Sequence, residues 1–337
     1  MNVYCDNAAT TRMRSSALAA YTQTAESFYG NASSLHSTGQ RAKEVLEDCR
    51  ARIANVLGAS PREIVFTSGG SEADNQAIFS AARAGEKKGK KRIVSTAIEH
   101  HAVLHALNKL KKDGFEIVLV PVGTNGIVSP TDIEKAVTDD TCLVTVMLAN
   151  NEIGTLQPVA EIGAICKAKG VPFHTDAVQA VGHTAVDVKQ LNCDYLALSA
   201  HKFGGPKGVG ALYVRTGAPL FPLIEGGAQE RGKRAGTEDL PAIASMTVAL
   251  EEAIAQLPET TKKVLALRDK LIDGLSKIPH CALNGDREKR LAGNVSFCFE
   301  GIEGESLLLL LDDKGVSASS GSACTSGSLD PSHVLLA

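Results

Sequence analysis

No charge of one sign dominates this sequence: 35 basic residues stand against 38 acidic ones, a formal net charge of -3. That balance is no signature for binding polyanions, and it excludes nucleic acid as the main partner. No apolar run approaches the ~20 residues of a membrane-spanning helix, so no membrane association is expected. The longest, LLLLL at 307–311, falls far short. The start, MNVYCDNAATT, has neither a basic n-region nor an apolar h-region, so no secretory signal is expected. No CxxC pair occurs among the eight cysteines, which are scattered along the chain and not concentrated as in small disulfide scaffolds. They read as reduced thiols of a cytoplasmic protein, all but one of them packing residues, Cys5 included. Internal repeats are missing, and so are low-complexity linkers apart from one Ser/Gly-rich segment.

What is present is a globular composition, 44% apolar and 22% charged, spread over 337 residues. At ~150 residues per domain this makes about two domains. EIVFTS, KRIVST, FEIVLVPV, TCLVTVMLA, VPFHTDA, CDYLALSAHK and GVGALYVR read as strands. Helical stretches such as SEADNQAIFSAARAGEKKG, residues 101–113 and AEIGAICKAKG separate several of them. This alternation predicts an α/β fold with a mainly parallel sheet covered on both faces. After about residue 251 the texture changes. A charged helical stretch at 260–278 leads to NVSFCFEGI, then ESLLLLLDDKG, then VSASSGSACTSGSLDPS. These predict a smaller α+β domain bearing a loop. The expected division is a large domain over 13–257 and a small one built from 1–12 and 258–337.

Three features at strand ends belong together. In TSGGSEADN a strand gives way to two glycines and a helix, with Ser71 at its start and Glu72 in its first turn. Small residues there let backbone N–H groups approach an anion at a helix N-terminus; the alternative is an ordinary turn capped by Ser71. The spacing is neither a P-loop nor GxGxxG, which disfavours a nucleotide. HTDAVQ sets Asp176 at the carboxyl end of a buried strand, where it can serve as a helix cap or pair with a cation such as a protonated pyridine nitrogen. SAHKFGGPKGVG sets Ser199, His201 and Lys202 just past another strand. Lys202 is a surface residue or, if desolvated between apolar neighbours, a usable amine. An anion cradle, a carboxylate for a ring nitrogen and an amine able to bond an aldehyde are together what pyridoxal 5'-phosphate needs.

Two further groups bear on the chemistry. IEHHAVLHAL holds His100, His101 and His105, with no third ligand at a metal-site spacing. His100 can instead stack on a cofactor ring and move protons near neutral pH. SSGSACTSG surrounds Cys324 with small residues, which suits either an exposed, travelling nucleophile or a cysteine in a plain linker.

With these residues assembled, the chain resembles the cysteine desulfurases of the aminotransferase class V family, in the branch serving iron–sulfur cluster and nitrogenase assembly. The likeness runs through YCDNAATT, NASSLHSTGQRA, FTSGGSEADNQAI, IEHHAV, NNEIGTLQP, TDAVQAVG, SAHKFGGPKGVGALYVR, GGAQERGKRAGTED and SSGSACTSGSLDPSHVL. It implies pyridoxal phosphate fold type I, with a seven-stranded sheet in the large domain and Cys324 on an active-site loop of the small one. It implies that Lys202 bonds the cofactor, Asp176 holds the pyridine nitrogen, Gln179 touches the ring hydroxyl and His100 stacks on the ring. Gly70, Ser71, Ser199 and His201 would bind the phosphate, with Thr237 supplied by the other subunit of a homodimer, and Asn151 would lie near cofactor and substrate. Cys324 would take sulfur from L-cysteine as a persulfide, releasing alanine, and pass it to an acceptor protein such as an iron–sulfur scaffold. SSGSAC separates this branch from one with an RxGHHC-like pattern.

The resemblance also implies a following segment with an SxRxSxG-like motif, whose arginine clamps the substrate carboxylate. The sequence stops at PSHVLLA with no counterpart, so a chain ending at Ala337 is expected to bind cofactor but turn over weakly. The alternatives are a selenocysteine lyase, a class V aminotransferase, or a catalytically weak sulfur-transfer scaffold.

Overall fold

The computed structural model describes residues 2–321 and 332–337. Its strands in chain order are β1 (Val3–Tyr4), β2 (Ile64–Thr67), β3 (Arg92–Thr96), β4 (Glu116–Val120), β5 (Thr141–Thr145), β6 (Phe173–Asp176), β7 (Tyr195–Ser199), β8 (Gly210–Val214), β9 (Cys281–Leu283), β10 (Phe297–Phe299) and β11 (Val316–Ser317). Strands β2 to β8 form one seven-stranded sheet in the order β2-β8-β7-β6-β5-β3-β4. β7, β6, β5, β3 and β4 are parallel neighbours, while β8 runs antiparallel to both β7 and β2. The seven apolar runs read as strands are these seven.

Continuous burial along β2, β5 and β7 follows from packing on both faces. Successive residues alternate between two cores: Val144, Leu196 and Leu198 belong to one, Leu143, Tyr195 and Ala197 to the other. The first core includes Leu46 and Ile53 of the helix Ser37–Leu57 and Met246 and Leu250 of the helix Leu240–Ala255. The second includes Ala77 and Ile78 of the helix Gly70–Glu86 and Leu107 of the helix His101–Lys112. TCLVTVMLA is regular only to Thr145. Beyond it, Val146 and Leu148 N–H groups still bond to β6, but the Met147 N–H turns to both carboxylate oxygens of Glu99 at 3.0 and 3.1 Å.

Two short ladders lie apart from the large sheet. β1 pairs in parallel with β11, and β9 pairs antiparallel with β10. The helix Leu257–Leu275 occupies most of the charged stretch, and the helix Gly304–Asp313 is the leucine-rich one. Among the described residues no single helix is long and apolar enough to cross a membrane. Cys49, Cys142, Cys166 and Cys193 are buried; burial pushes the Cys142 and Cys166 thiols up to about 12, as suits inert packing groups. Cys5 and Cys298 depart from the packing expectation: both are exposed, Cys5 just after the two-residue, solvent-facing β1 and Cys298 on the short strand β10, while Cys281 is half-buried.

One ion pair secures the edge of the sheet. Arg50 Nη1 and Nη2 donate to Glu230 Oε2 and Oε1 at 2.7 Å each, with both side chains at most 2% exposed. The Phe66 N–H of β2 donates to Glu230 Oε2 at 2.9 Å, and Arg50 stacks over the Phe66 ring. Glu230 and Arg231 are held at φ +47° and +59°, a left-handed conformation that costs about 1–2 kcal/mol per residue without compensation. The bidentate pair offsets that strain. Removing one partner leaves the other charge buried, so Arg50→Leu is expected to lower the unfolding free energy by about 3–5 kcal/mol in urea denaturation, and adding Glu230→Leu to recover part of the loss.

Candidate active site

The parallel strands aim their carboxyl ends at one edge of the sheet, and several of the polar residues singled out above lie there. β2 ends at Thr67 and the helix Gly70–Glu86 begins three residues later. Gly69 sits at φ +152°, ψ -174°, a conformation open in practice only to glycine. A Cβ on Gly70 would come within 2.5 Å of Val178 Cγ2, so the chain can pack here only without a side chain. Gly69, Gly70, Ser71, Ser199, His201, Thr10 and Lys207 line an open cleft of about 400 Å³. A helix N-terminus, a lysine and the hydroxyls of Thr10, Ser71 and Ser199 make it a receptor for an anion. Glu72, which would repel one, also lines the cleft, and its carboxylate is held by partners: Arg234 donates to it at 3.0 Å and the Ser68 N–H at 2.8 Å.

Lys202 lies in a short 3-10 turn (Ala200–Lys202) directly after β7. It is half-buried, not enclosed among apolar neighbours, and its Nζ donates to Ala8 O at 2.5 Å and Ala9 O at 2.9 Å. Gln179 Nε2 donates to the same Ala8 O at 2.9 Å. The residues before Thr10 therefore join the lysine to the cleft, whose wall includes Ala9. His201 Nδ1 lies 3.1 Å from Thr10 Oγ1, and burial pulls its imidazole down to about 4, helped by Lys202 and Lys207.

Asp176 closes β6, 5% exposed, its Oδ1 accepting from the Val178 N–H at 2.9 Å. It caps its own turn and leaves its second oxygen for another donor. Burial raises its carboxyl, against the charges of His100 and Lys202 and the Val178 bond. His100 is the N-cap of its helix: Nδ1 accepts from the Ala102 N–H at 3.2 Å, so in the neutral ring the proton sits on Nε2. Burial lowers its pKa, Asp176 opposes this, and Lys202, His333 and His105 reinforce it.

The fit of these residues to pyridoxal 5'-phosphate is chemical. A built anion cradle, a buried carboxyl with an unused oxygen and an amine lie at neighbouring strand ends, and the donor set offers each part of the cofactor a partner. Of the expected site residues, Gly70, Ser71, Ser199 and His201 line this cleft and His100 the adjoining depression, whereas Asp176, Gln179, Lys202, Asn151 and Thr237 line neither; Asn151 is half-buried beyond the fully buried Asn150, and Thr237 is exposed. Cys324 lies outside the described residues. Among the described residues no cluster suited to a metal occurs.

Comparison with known proteins decides the family. The sequence profile of aminotransferase class-V matches residues 3–337. The chain belongs to the aminotransferase class-V family. A cysteine desulfurase IscS of Methanosarcina thermophila is 52% identical over 335 residues, 99% of this chain and 83% of that one. A solved NifS-like protein superposes with a TM-score of 0.93 at 40% identity, covering 99% of this chain and 89% of that chain. The structure of SspA in complex with cysteine gives 0.86 at 35% identity, covering 100% and 94%. The fold is fold type I of the pyridoxal phosphate enzymes, and pyridoxal 5'-phosphate is the cofactor of this family member.

The sequence reading passed over three buried groups beside the site, Asp74, Glu99 and His174. Only for His174 was there a signal, its place two residues before Asp176 on one strand face.

Two of the histidines are held toward the neutral ring, the fully buried His174 pulled down to about 3 and the half-buried His201 to about 4, both by burial first. In the unfolded chain they titrate near ~6.5, so in acid the unfolded state binds protons first. Their contribution is complete above that value and is lost as pH falls toward the folded values. The urea midpoint is therefore expected to drop between about pH 7 and about pH 5, and His201→Asn to flatten part of that slope.

Proposed function

We propose that this chain is a cysteine desulfurase that takes sulfur from L-cysteine onto Cys324 and hands it to an acceptor protein. The observation that carries the reading is the meeting of Lys202, Asp176 and the Gly69–Gly70–Ser71 cradle at one sheet edge, in a chain half identical to a cysteine desulfurase. The selenocysteine lyase, aminotransferase and weak-scaffold readings are not favoured by such relatives.

When bound, pyridoxal 5'-phosphate supplies an aldehyde that bonds amines and a pyridine ring that absorbs the electron pair released at Cα. In this reading Gly70, Ser71, Ser199 and His201 bind its phosphate, and Asp176 accepts from the ring nitrogen. Gln179 would hold the ring hydroxyl, and His100, with its proton on Nε2, would pack against the ring and offer a donor to the reacting atoms. Lys202 would hold the cofactor covalently, and its Nζ is the base that would take the Cα proton. The Cys324 thiolate attacks the substrate sulfur, an S–S bond forms and the Cβ–Sγ bond breaks. Cysteine plus enzyme thiol thus give alanine plus enzyme persulfide, with no external oxidant.

The finer points of the proposal follow from the same resemblance. A second copy of the chain supplies Thr237, Asn151 lies near the substrate, and the acceptor is an iron–sulfur scaffold in the cytoplasm. The division into a domain over 13–257 and another over 1–12 and 258–337 draws support from the separate β1–β11 ladder.

The decisive experiment exposes purified holoenzyme to L-cysteine, alkylates and digests it. The Cys324 peptide is expected one sulfur atom heavier, with alanine formed in step; alanine formation that Cys324→Ala leaves unchanged would sink the reading. Lys202→Ala is expected to abolish the covalent cofactor absorbance and to reduce turnover by at least ~10³-fold, as loss of an essential base and attachment point requires.

A further inference from the structure

Three carboxyl groups are buried under the carboxyl edge of the sheet: Asp74 at 1% exposure, Glu99 at 0% and Asp176 at 5%. The proposed function uses only Asp176. Glu99 has its partners, accepting from Thr96 Oγ1 at 2.7 Å and from the Met147 N–H. Asp74 is different. Its Oδ1 lies 3.3 Å from Nε2 of the fully buried His174, and neither atom has another hydrogen-bond partner among the described residues. The other ring nitrogen, Nδ1, lies 2.8 Å from Thr145 Oγ1. Helix Gly70–Glu86, β6 and β5 are thus joined by one line of buried polar atoms.

Such a line needs one proton between Oδ1 and Nε2, since two bare lone pairs would repel. The surroundings decide where that proton rests. Facing Asp74 are the carboxyls of Asp176 and Glu99; facing Asp176 are His100 and Lys202. Ionising Asp74 would set a second negative charge in a buried layer beside Asp176, where like charges are poorly screened. Burial, with Asp176 and Glu99, drives the Asp74 carboxyl well above the carboxylate range, while burial lowers the imidazole of His174. The proton belongs on the acid.

We propose that Asp74 is a neutral acid donating from Oδ1 to Nε2 of His174, whose Nδ1–H donates to Thr145 Oγ1, and that this line positions β6 so that Asp176 is the ionised carboxylate facing the cofactor nitrogen. His174 and Asp176 stand two residues apart on β6, on one face, so anchoring the first fixes the second. Asp74 is a positioning residue, acting through His174. The inference rests on Asp176 being the ring-nitrogen partner.

Nitrogen-15 spectra of the full chain with labelled histidine, with and without cofactor, test the pair. His174, assigned by loss of its signals in His174→Gln or by their shift in Thr145→Val, is expected to carry its proton on Nδ1 from about pH 5 to about pH 8. A doubly protonated ring, or the proton on Nε2, overturns the proposal. The positioning role is read from cofactor dissociation constants. Asp74→Asn offers an amide N–H in place of the acid proton and is expected within about threefold of the parent, while Asp74→Leu weakens binding about tenfold or more. Equal weakening in both variants, or none with leucine, overturns it. The parent reading fails separately: if Asp176→Asn leaves the absorbance of the bound cofactor unchanged, Asp176 is not the nitrogen partner, whereas the His174 tautomer still decides the pair.

Discussion

Thr11 closes the lysine turn from the far end of the chain. Its backbone N–H and its Oγ1 both donate to His201 O, at 2.9 and 2.7 Å, and its Oγ1 accepts from the Gly204 N–H at 2.8 Å. The turn itself is poor in intrinsic rigidity, since FGGPKG follows the lysine with three glycines and a proline. Arg14 adds a second fastening: its Nε donates to Phe203 O and its Nη1 to Glu252 Oε1. With the turn held, the Lys202 stem points along residues 8 and 9, and His201 keeps its contact to Thr10. The amine, the imidazole and the wall of the anion cleft are all placed by these few bonds.

Around that turn, charge is arranged so that an anion meets few competitors. The N-terminus of helix Gly70–Glu86 is worth about 0.3–1 kcal/mol to a nearby negative charge, more where partly buried. Glu72, in its first turn, would cancel that gain were it not paired with Arg234. Arg234 follows the two left-handed residues Glu230 and Arg231 in the chain, and Arg50 holds Glu230 inside the protein, so the buried pair at the sheet edge and the residue that neutralises Glu72 belong to one short segment.

Much of this was legible from sequence, for identifiable reasons. Buried parallel strands give short apolar runs, and all seven were found because turn residues bound them. Asp176, Ser199, His201 and Lys202 could be placed because α/β sheets gather function at strand ends. Departures arose where distant pieces meet. Nothing in TCLVTVMLA says that Glu99 will capture the Met147 N–H. The exposure of Cys5 depends on how little of β1 is covered, and the tilted stack of His101 on His333, 4.8 Å between centroids, joins residues far apart in sequence. Asp74 and His174 sit in plain motifs, on a helix and a strand whose separation only packing sets. The half-exposure of Lys202 was missed because its neighbours in sequence are not its neighbours in space.

The ladder between β1 and β11 carries a consequence for biosynthesis. β1 emerges from the ribosome first, but its partner, Val316–Ser317, is made near the end of these residues. At about 5–20 residues per second the first strand waits roughly 15–60 s for its mate. Until then the leading segment has no ladder to hold it, and the fastening of the lysine turn is free to lag behind the sheet. The large core can therefore assemble during translation before the strand that pairs with β1 has been made.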